Sequence, residues 1–122
     1  MAAALRNKKD YINFYCIGAA AAGHADLVQQ CLNKGAEPTA GLMSAIFAGH
    51  KETVQSMIDD KLNPRRGLEM AALGGHMDLV LMLLEKGADP NPGLKDAVIA
   101  GHADIVKLLL MQPGINVNKK KF

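Results

Sequence analysis

The segment Gly101-His102-Ala103-Asp104-Ile105-Val106 is the last of four versions of one hexapeptide along the chain. The earlier versions begin at Gly23, Gly49 and Gly75, so consecutive copies start 26 residues apart without a slip. A strict period of about 20 to 50 residues is the sequence signature of stacked structural repeats. The period therefore predicts four similar units that pack side by side.

Each repeat contains two short apolar segments separated by the Gly-His pair. In the first repeat, residues 15–22 are predicted to form a helix that stops at Gly23, and a second helix runs from His24 or Ala25 to Lys34. The second segments carry apolar residues at i, i+1, i+4 and i+5, which is the stripe of a helix with one buried side. Helices this short, about eight and eleven residues, are marginal alone in water, so neighbouring repeats must stabilise them.

The period also sets the predicted boundaries. Repeats one to four span residues 15–40, 41–66, 67–92 and 93–118, and residues 119–122 form a basic tail. Residues 1–14 precede the repeats and carry aromatic side chains. Terminal units of repeat proteins must cover an open end of the core, so this segment is predicted to be an N-terminal cap, with a binding role as the alternative.

The segments between repeats are rich in glycine and proline. Residues 35–38 (Gly-Ala-Glu-Pro) and 87–92 (Gly-Ala-Asp-Pro-Asn-Pro) place Gly just after a helix and Pro where we expect no helix to continue. The corresponding place in repeat two lacks the glycine and carries Lys61, Arg65 and Arg66. We predict a basic inter-repeat loop there, which is either solvated or contacts an anionic group of a partner.

Composition excludes several classes of function. The net charge is +2, from 14 basic and 12 acidic residues, which is too balanced to indicate nucleic acid or an anionic membrane as the partner. No run approaches the roughly 18 apolar residues of a membrane span. In the N-terminal segment the charges follow the apolar residues, unlike a secretory signal.

The two cysteines, Cys16 and Cys31, each lie in an apolar segment and form no Cys-x-x-Cys pair. We interpret them as buried, reduced thiols of a cytoplasmic protein, since free cysteine is usually buried and disulfides are rare in reducing compartments. A disulfide within the first repeat and a reactive thiol are the alternatives.

No catalytic motif is present, so we expect neither enzymatic activity nor a cofactor. Four histidines at one repeat position suggest a metal site, but packed helices lie roughly 8–10 Å apart and a zinc ligand must lie about 2.0–2.1 Å from the metal. Equivalent histidines in neighbouring repeats therefore cannot share an ion without distortion. We predict no metal, and a structural histidine at the start of each second helix that bonds nearby backbone.

The repeats resemble the ankyrin repeat, most densely over residues 75–91 (Gly-His-Met-Asp-Leu-Val-Leu-Met-Leu-Leu-Glu-Lys-Gly-Ala-Asp-Pro-Asn). The resemblance covers residues 15–118. It implies an all-α fold, an ankyrin-like solenoid of four stacked helix-turn-helix repeats. Ankyrin repeats are about 33 residues long, so these 26-residue units lack the part that forms the projecting β-hairpin fingers.

The resemblance implies a non-enzymatic protein–protein interaction module that binds another protein through the first-helix, concave face. The alternatives are a structural protein with weak self-association into homo-oligomers and the targeting module of a microbial protein acting in a host cell. On the first-helix face we expect an apolar row flanked by polar residues, which is how an interface core looks. The predicted partner-binding residues are Phe47, Leu73 and Ile99 in the row, Met43, Glu69 and Lys95 one turn earlier, and Arg65 and Arg66.

Overall fold

The structure is a computed structural model that describes residues 8–58 and 64–115. Over these residues the chain forms eight α-helices and no strand, which confirms the predicted all-α class. The chain divides into two compact units, Met1–Lys61 and Leu62–Phe122. The helices are α1 (Lys8–Ala22), α2 (Ala25–Asn33), α3 (Pro38–Ala48), α4 (Lys51–Met57), α5 (Pro64–Gly74), α6 (Met77–Glu85), α7 (Pro90–Ala100) and α8 (Ala103–Leu110).

Each unit contains two helical hairpins that stack in the order of the chain. In the first unit α1 packs against both its hairpin partner α2 and the next first helix, α3, while α4 packs against α2. The second unit repeats this arrangement with α5, α6, α7 and α8. Within each unit the helix-turn-helix repeats therefore stack as the ankyrin-like fold predicts.

The aliphatic stripes form the core. Val28, Val80, Leu83 and Leu109 are fully buried, at positions where the periodic pattern predicts a buried side. Burial of one such side chain is worth about 1.5–3 kcal/mol, which compensates the marginal stability of single helices. Leu27 departs from the pattern and is exposed, because no helical hairpin precedes it in the described part of the chain.

The first helices begin at proline, not after it. Pro38 and Pro90 are the first residues of α3 and α7, whereas the sequence analysis assigned both to turns in which no helix continues. Proline suits a first helical position because its φ is already helical and the N–H it lacks would have no helical partner there. These helices are consequently 11 residues long instead of about eight.

The same correction applies to the predicted basic loop. Arg65 and Arg66 lie in the first turn of α5, which begins at Pro64, so they are helical residues and not loop residues. Lys61 lies outside the described residues. At the other end of the chain, α1 starts at Lys8 and runs without a break through the boundary between the predicted cap and repeat one.

The glycine stops are confirmed. Gly49 and Gly101 have φ values of +84° and +80°, in the left-handed region that favours glycine. The following histidine N–H then turns back onto the helix: His50 N donates to Ala45 O at 3.0 Å, and His102 N donates to Ala97 O at 3.0 Å. The Gly-His pair therefore ends the first helix and sets where the second begins.

The thiol prediction is confirmed for Cys16 and is wrong in degree for Cys31. Both cysteines are free, but only Cys16 is fully buried, while Cys31 is half-buried. Burial raises the pKa of the Cys16 thiol, and the neighbouring Cys31 adds to the effect. A Cβ atom at Gly41 would lie 3.3 Å from Cys16 Sγ, so α1 and α3 approach closely here.

One prediction concerns the start of α7, where Asp89 is the N-cap. Its Oδ1 accepts hydrogen bonds from Asn91 N at 3.0 Å and Asn91 Nδ2 at 2.8 Å. Asp89→Ala is expected to lower the free energy of unfolding by about 1 kcal/mol at pH 7. Urea denaturation measures this, with Glu37→Ala as the control, because the N-cap Glu37 of α3 makes no side-chain capping bond.

The cost of Asp89→Ala is also expected to depend on pH. The backbone and side-chain hydrogen bonds from Asn91, with a smaller effect of the Arg65 charge, lower the pKa of Asp89 below its ordinary value of 3.8. A carboxylate with a lowered pKa stabilises the fold above its unfolded pKa and loses that stabilisation as the pH falls through its folded pKa. The difference in free energy of unfolding between the wild type and Asp89→Ala should therefore become smaller below about pH 4. A difference that stays constant down to pH 2 would contradict the assignment.

Candidate functional site

Two histidines connect successive hairpins. His50 Nε2 lies 2.9 Å from the carbonyl oxygen of Ala21, and His102 Nε2 lies 3.1 Å from that of Leu73. Because a carbonyl oxygen only accepts, Nε2 carries the hydrogen in both bonds. The predicted structural role of these two histidines is confirmed, although the backbone they bond belongs to the preceding repeat and not to their own.

The histidine rings also cover the glycine turns of the preceding repeat. A Cβ atom at Gly23 would lie 2.8 Å from His50 Nδ1, and one at Gly75 would lie 2.7 Å from His102 Cε1. Real Cβ atoms do not approach other atoms this closely, so a side chain at either glycine would force the histidine ring to move, in addition to the strain at its positive φ. The Gly-His motif is thus part of the contact between repeats.

These contacts bear directly on the candidate site. The carbonyl that His102 bonds belongs to Leu73, a member of the predicted apolar row, and Ala21 has the equivalent position in the first repeat. The backbone of this position is therefore held by a histidine of the next repeat at Ala21 and at Leu73. Within the predicted row, this applies to Leu73.

The apolar row is the set Phe47, Leu73 and Ile99, which lie near the ends of α3, α5 and α7. Phe47 is 51% exposed and Ile99 is 68% exposed, while Leu73 is half-buried. In the second unit α5 and α7 pack directly, so Leu73 and Ile99 occupy equivalent positions on neighbouring helices. Phe47 lies on α3, in the first unit.

The predicted polar flank is present on the same helices. Glu69 and Lys95 lie one turn before Leu73 and Ile99, with Glu69 half-buried and Lys95 exposed. On α3 the half-buried Met43 precedes the exposed Phe47 by one turn. These pairs are four residues apart, the spacing that puts side chains on one face of a helix.

The arginines have contacts within the protein. Arg65 Nε lies 3.8 Å from Glu69 Oε2, four residues along α5, and its charge also helps to lower the pKa of Asp89. An exposed pair of this kind is worth about 0.3–0.5 kcal/mol. Arg66 follows in the first turn of α5 and is exposed. Arg65 thus interacts with Glu69 on its own helix, whereas Arg66 is exposed.

Val98 lies at the same repeat position as Ile46 and Ala72 but differs from both in exposure. Val98 is 58% exposed, while Ile46 and Ala72 are fully buried. The repeat pattern alone gives no signal for this, because it treats every copy alike. A useful signal would have been position, since no described hairpin follows repeat four.

Over residues 8–58 and 64–115, no group of three or more His, Cys, Asp or Glu side chains could hold a metal ion. None of the helices in those ranges is both long enough and apolar enough to cross a membrane.

Successive helical hairpins, each with a Gly-His turn between its two helices, define a helical repeat protein. Comparison with protein-family models matches residues 16–93 to "Ankyrin repeats (3 copies)" and residues 94–121 to "Ankyrin repeat". The chain belongs to the ankyrin repeat family, whose members are generally non-enzymatic modules for protein–protein interaction. No curated protein matches the chain.

Proposed function

We propose that this chain is a non-enzymatic module that binds a partner protein through the first-helix face, centred on the apolar row. The observation that carries the proposal is the exposure of two large apolar side chains, Phe47 and Ile99, at the same repeat position. Covering one such side chain contributes about 1.5–3 kcal/mol, so two of them supply a substantial part of a micromolar affinity.

The charges around the row favour a protein as the partner. Glu69 and Lys95 have opposite signs at equivalent positions of α5 and α7, and the exposed Arg66 adds one further cation on α5. A polyanion would be repelled by one of these groups and attracted by the others. A mixed polar rim around apolar anchors is the composition of protein–protein interfaces.

Rigidity of the support strengthens the proposal. The Leu73 carbonyl is held by His102, and the turn after α7 is closed by the bond from His102 N to Ala97 O. A surface that is already ordered loses little conformational entropy when a partner binds. Binding is therefore expected to leave the helices where they are.

The test replaces the two most exposed members of the row. Phe47→Ser with Ile99→Ser is expected to weaken binding of the partner captured by the wild-type protein at least about tenfold, the effect of losing interface anchors. Leu73 is left unchanged because it is half-buried, and its loss would also disturb packing. The partner is purified and titrated against both proteins by calorimetry.

Leu81→Ser is the matched control, since Leu81 is 44% exposed on α6, a second helix. The control should bind as the wild type does. Equal affinities of wild type and the double variant, with unchanged helicity and melting temperature, would show that the first-helix face is not the binding surface. Self-assembly is the rival use of the row, and light scattering decides it: a wild-type oligomer that the double variant dissociates would support the rival.

The proposed place of action is a reducing compartment such as the cytoplasm. Cys16 and Cys31 are both free, and Cys16 is fully buried, which suits a thiol that remains reduced. Compartment-specific labelling of the tagged protein in its own cell tests this assignment.

A further inference from the structure

Apolar side chains on the far side of repeat four are more exposed than their equivalents in repeats one and three. We call this the C-terminal end surface; its members are Leu94, Val98, Gly101, Val106 and Leu110. Val98 is 58% exposed, while its equivalents Ala20 and Ala72 are fully buried. Val106 is half-buried, while Val28 and Val80 are fully buried. Repeats one and three owe this burial to the next hairpin of their unit, because the first helices α1 and α5 pack against α3 and α7.

The contact between hairpins has the same chemistry in both units. A glycine of the arriving first helix lies on the preceding one: a Cβ at Gly41 would be 3.3 Å from Cys16 Sγ, and a Cβ at Gly93 would be 3.1 Å from Leu68 Cγ. A histidine of the arriving hairpin then covers the preceding glycine turn and donates to a carbonyl oxygen. A hairpin that docks in this way therefore meets two separate requirements: a glycine at this position of its first helix, and a Gly-His turn after that helix.

The receiving half of this contact is present and open at the end of repeat four. Gly101 has the same left-handed φ as Gly23 and Gly75, but nothing lies within 4 Å of a Cβ placed on it. The carbonyl group of Ile99 has the repeat position of those of Ala21 and Leu73, which accept the histidine bonds. Leu94 is half-buried where Leu68 is fully buried.

We propose that the C-terminal end surface binds a helical hairpin of the same repeat pattern presented by a partner polypeptide. The partner hairpin places a glycine of its first helix on Leu94, and the histidine of its Gly-His turn covers Gly101 and donates from Nε2 to the Ile99 carbonyl oxygen. Apart from the Ile99 carbonyl group, this surface shares no residue with the apolar row, so the inference goes beyond the proposed function.

The first hairpin of a second copy does not meet these requirements. Repeat one has Tyr15 at the position of Gly41 and Gly93, and a single Cβ there would already lie only 3.1 Å from the leucine beneath it. In addition, α1 starts at Lys8, one turn earlier than the equivalent starts of α3 and α7 at Pro38 and Pro90. In α3 and α7 the equivalent place is taken by the segment that leads into the helix. In a docked second copy, the extra turn of α1 would have to occupy that place. A partner hairpin with glycine at this position meets these requirements.

The experiment supplies such a hairpin to the full chain. In the test variant residues 90–116 are duplicated in tandem, so that a second copy of α7 and α8 follows the first. Gly114 and Gly87 both have positive φ, and aligning them makes Asn116 the equivalent of Asp89, the residue that precedes α7. We expect a rise in melting temperature of about 5 °C or more, with unchanged helicity per residue.

Two substitutions in the added copy test the chemistry. Gly93→Tyr in the added copy, which reproduces Tyr15, should abolish the rise, and His102→Ala in the added copy should reduce it. An added copy that leaves the melting temperature unchanged, or that lowers helicity per residue, overturns the proposal. A full rise in melting temperature that remains after Gly93→Tyr in the added copy also overturns the proposal, because any apolar segment could then cover the surface.

The occupant is tested by light scattering of the wild-type protein. A monomer at high concentration is the expected result. A wild-type dimer that Val98→Asp dissociates would make a second copy the occupant and would also overturn the proposal. The outcome is separable from the proposed function, because Phe47→Ser and Ile99→Ser leave Leu94, Val98 and Leu110 in place.

Discussion

Leu83→Ala is expected to lower the free energy of unfolding by about 2–5 kcal/mol, the cost of removing a buried leucine side chain from a packed core. Leu83 is fully buried on α6, which packs against both α5 and α8. The free energy of unfolding of a small domain is only about 5–15 kcal/mol, so the variant should be partly unfolded near physiological temperature. Urea titration followed by circular dichroism measures the loss.

Leu81→Ala is the matched control for this result. Leu81 lies on the same helix two residues earlier, so the two variants have the same change in helix propensity, but Leu81 is 44% exposed. Its replacement should cost well under half as much as that of Leu83. Similar losses for both variants would mean that the stripe does not define the buried side of α6.

Gly75→Ala is expected to cost about 2–3 kcal/mol, from two separate effects. An L-residue at the φ of +78° found here is strained by roughly 1–2 kcal/mol. The new Cβ would also lie 2.7 Å from His102 Cε1, so the ring must move and its hydrogen bond to Leu73 O is lost. A typical hydrogen bond contributes about 0.5–1.5 kcal/mol.

A matched glycine separates the two effects. Gly101 has a φ of +80° and nothing within 4 Å of its Cβ position, so Gly101→Ala should show the strain alone. In a His102→Ala background, Gly75→Ala should then cost no more than Gly101→Ala does in the wild type. If the two glycine variants are equally stable in the wild-type background, the histidine ring does not cover Gly75 in solution.

Much of the fold could be predicted because its determinants recur in register. The period of 26 residues locates Gly49 and Gly101 where first helices end, and the aliphatic positions that include Val28 and Leu83 are buried as the pattern requires. When the same residue type recurs at four equivalent positions, the prediction depends less on the helix propensity of any single residue. The family resemblance gave the order of the hairpins in each unit for the same reason.

The repeat pattern could not predict features that depend on neighbouring residues or neighbouring repeats. Proline prevents continuation of a helix but is favoured in its first turn. From the sequence, Pro38 and Pro90 could therefore belong to a turn or to the start of a helix, and the structure places both at a helix start. Val98 is exposed because of where its repeat lies, which periodicity does not encode. The bond from His102 to Leu73 O joins two neighbouring repeats, and it forms only when α7 and α8 pack on α5 and α6, which a pattern within one repeat does not show.

For the candidate site, the sequence located the row on the first helices but could not give its accessibility. Phe47 and Ile99 are exposed and Leu73 is half-buried, although the three occupy one repeat position. The difference arises from the neighbours of each helix, not from the residue types. The partner-binding role of the row and its flank therefore stays a prediction for the binding experiments.

The histidine bonds between hairpins span 29 residues of the chain, as His50 to Ala21 and as His102 to Leu73. Contacts this local in sequence make folding fast, because little loop entropy is lost before they form. During synthesis the nascent chain can complete such a bond as soon as about 30 further residues have left the ribosome, and domains generally fold from the N-terminus onward. Within each unit the second hairpin would then pack on a first hairpin that is already folded, and few apolar side chains of that unit would stay exposed during translation.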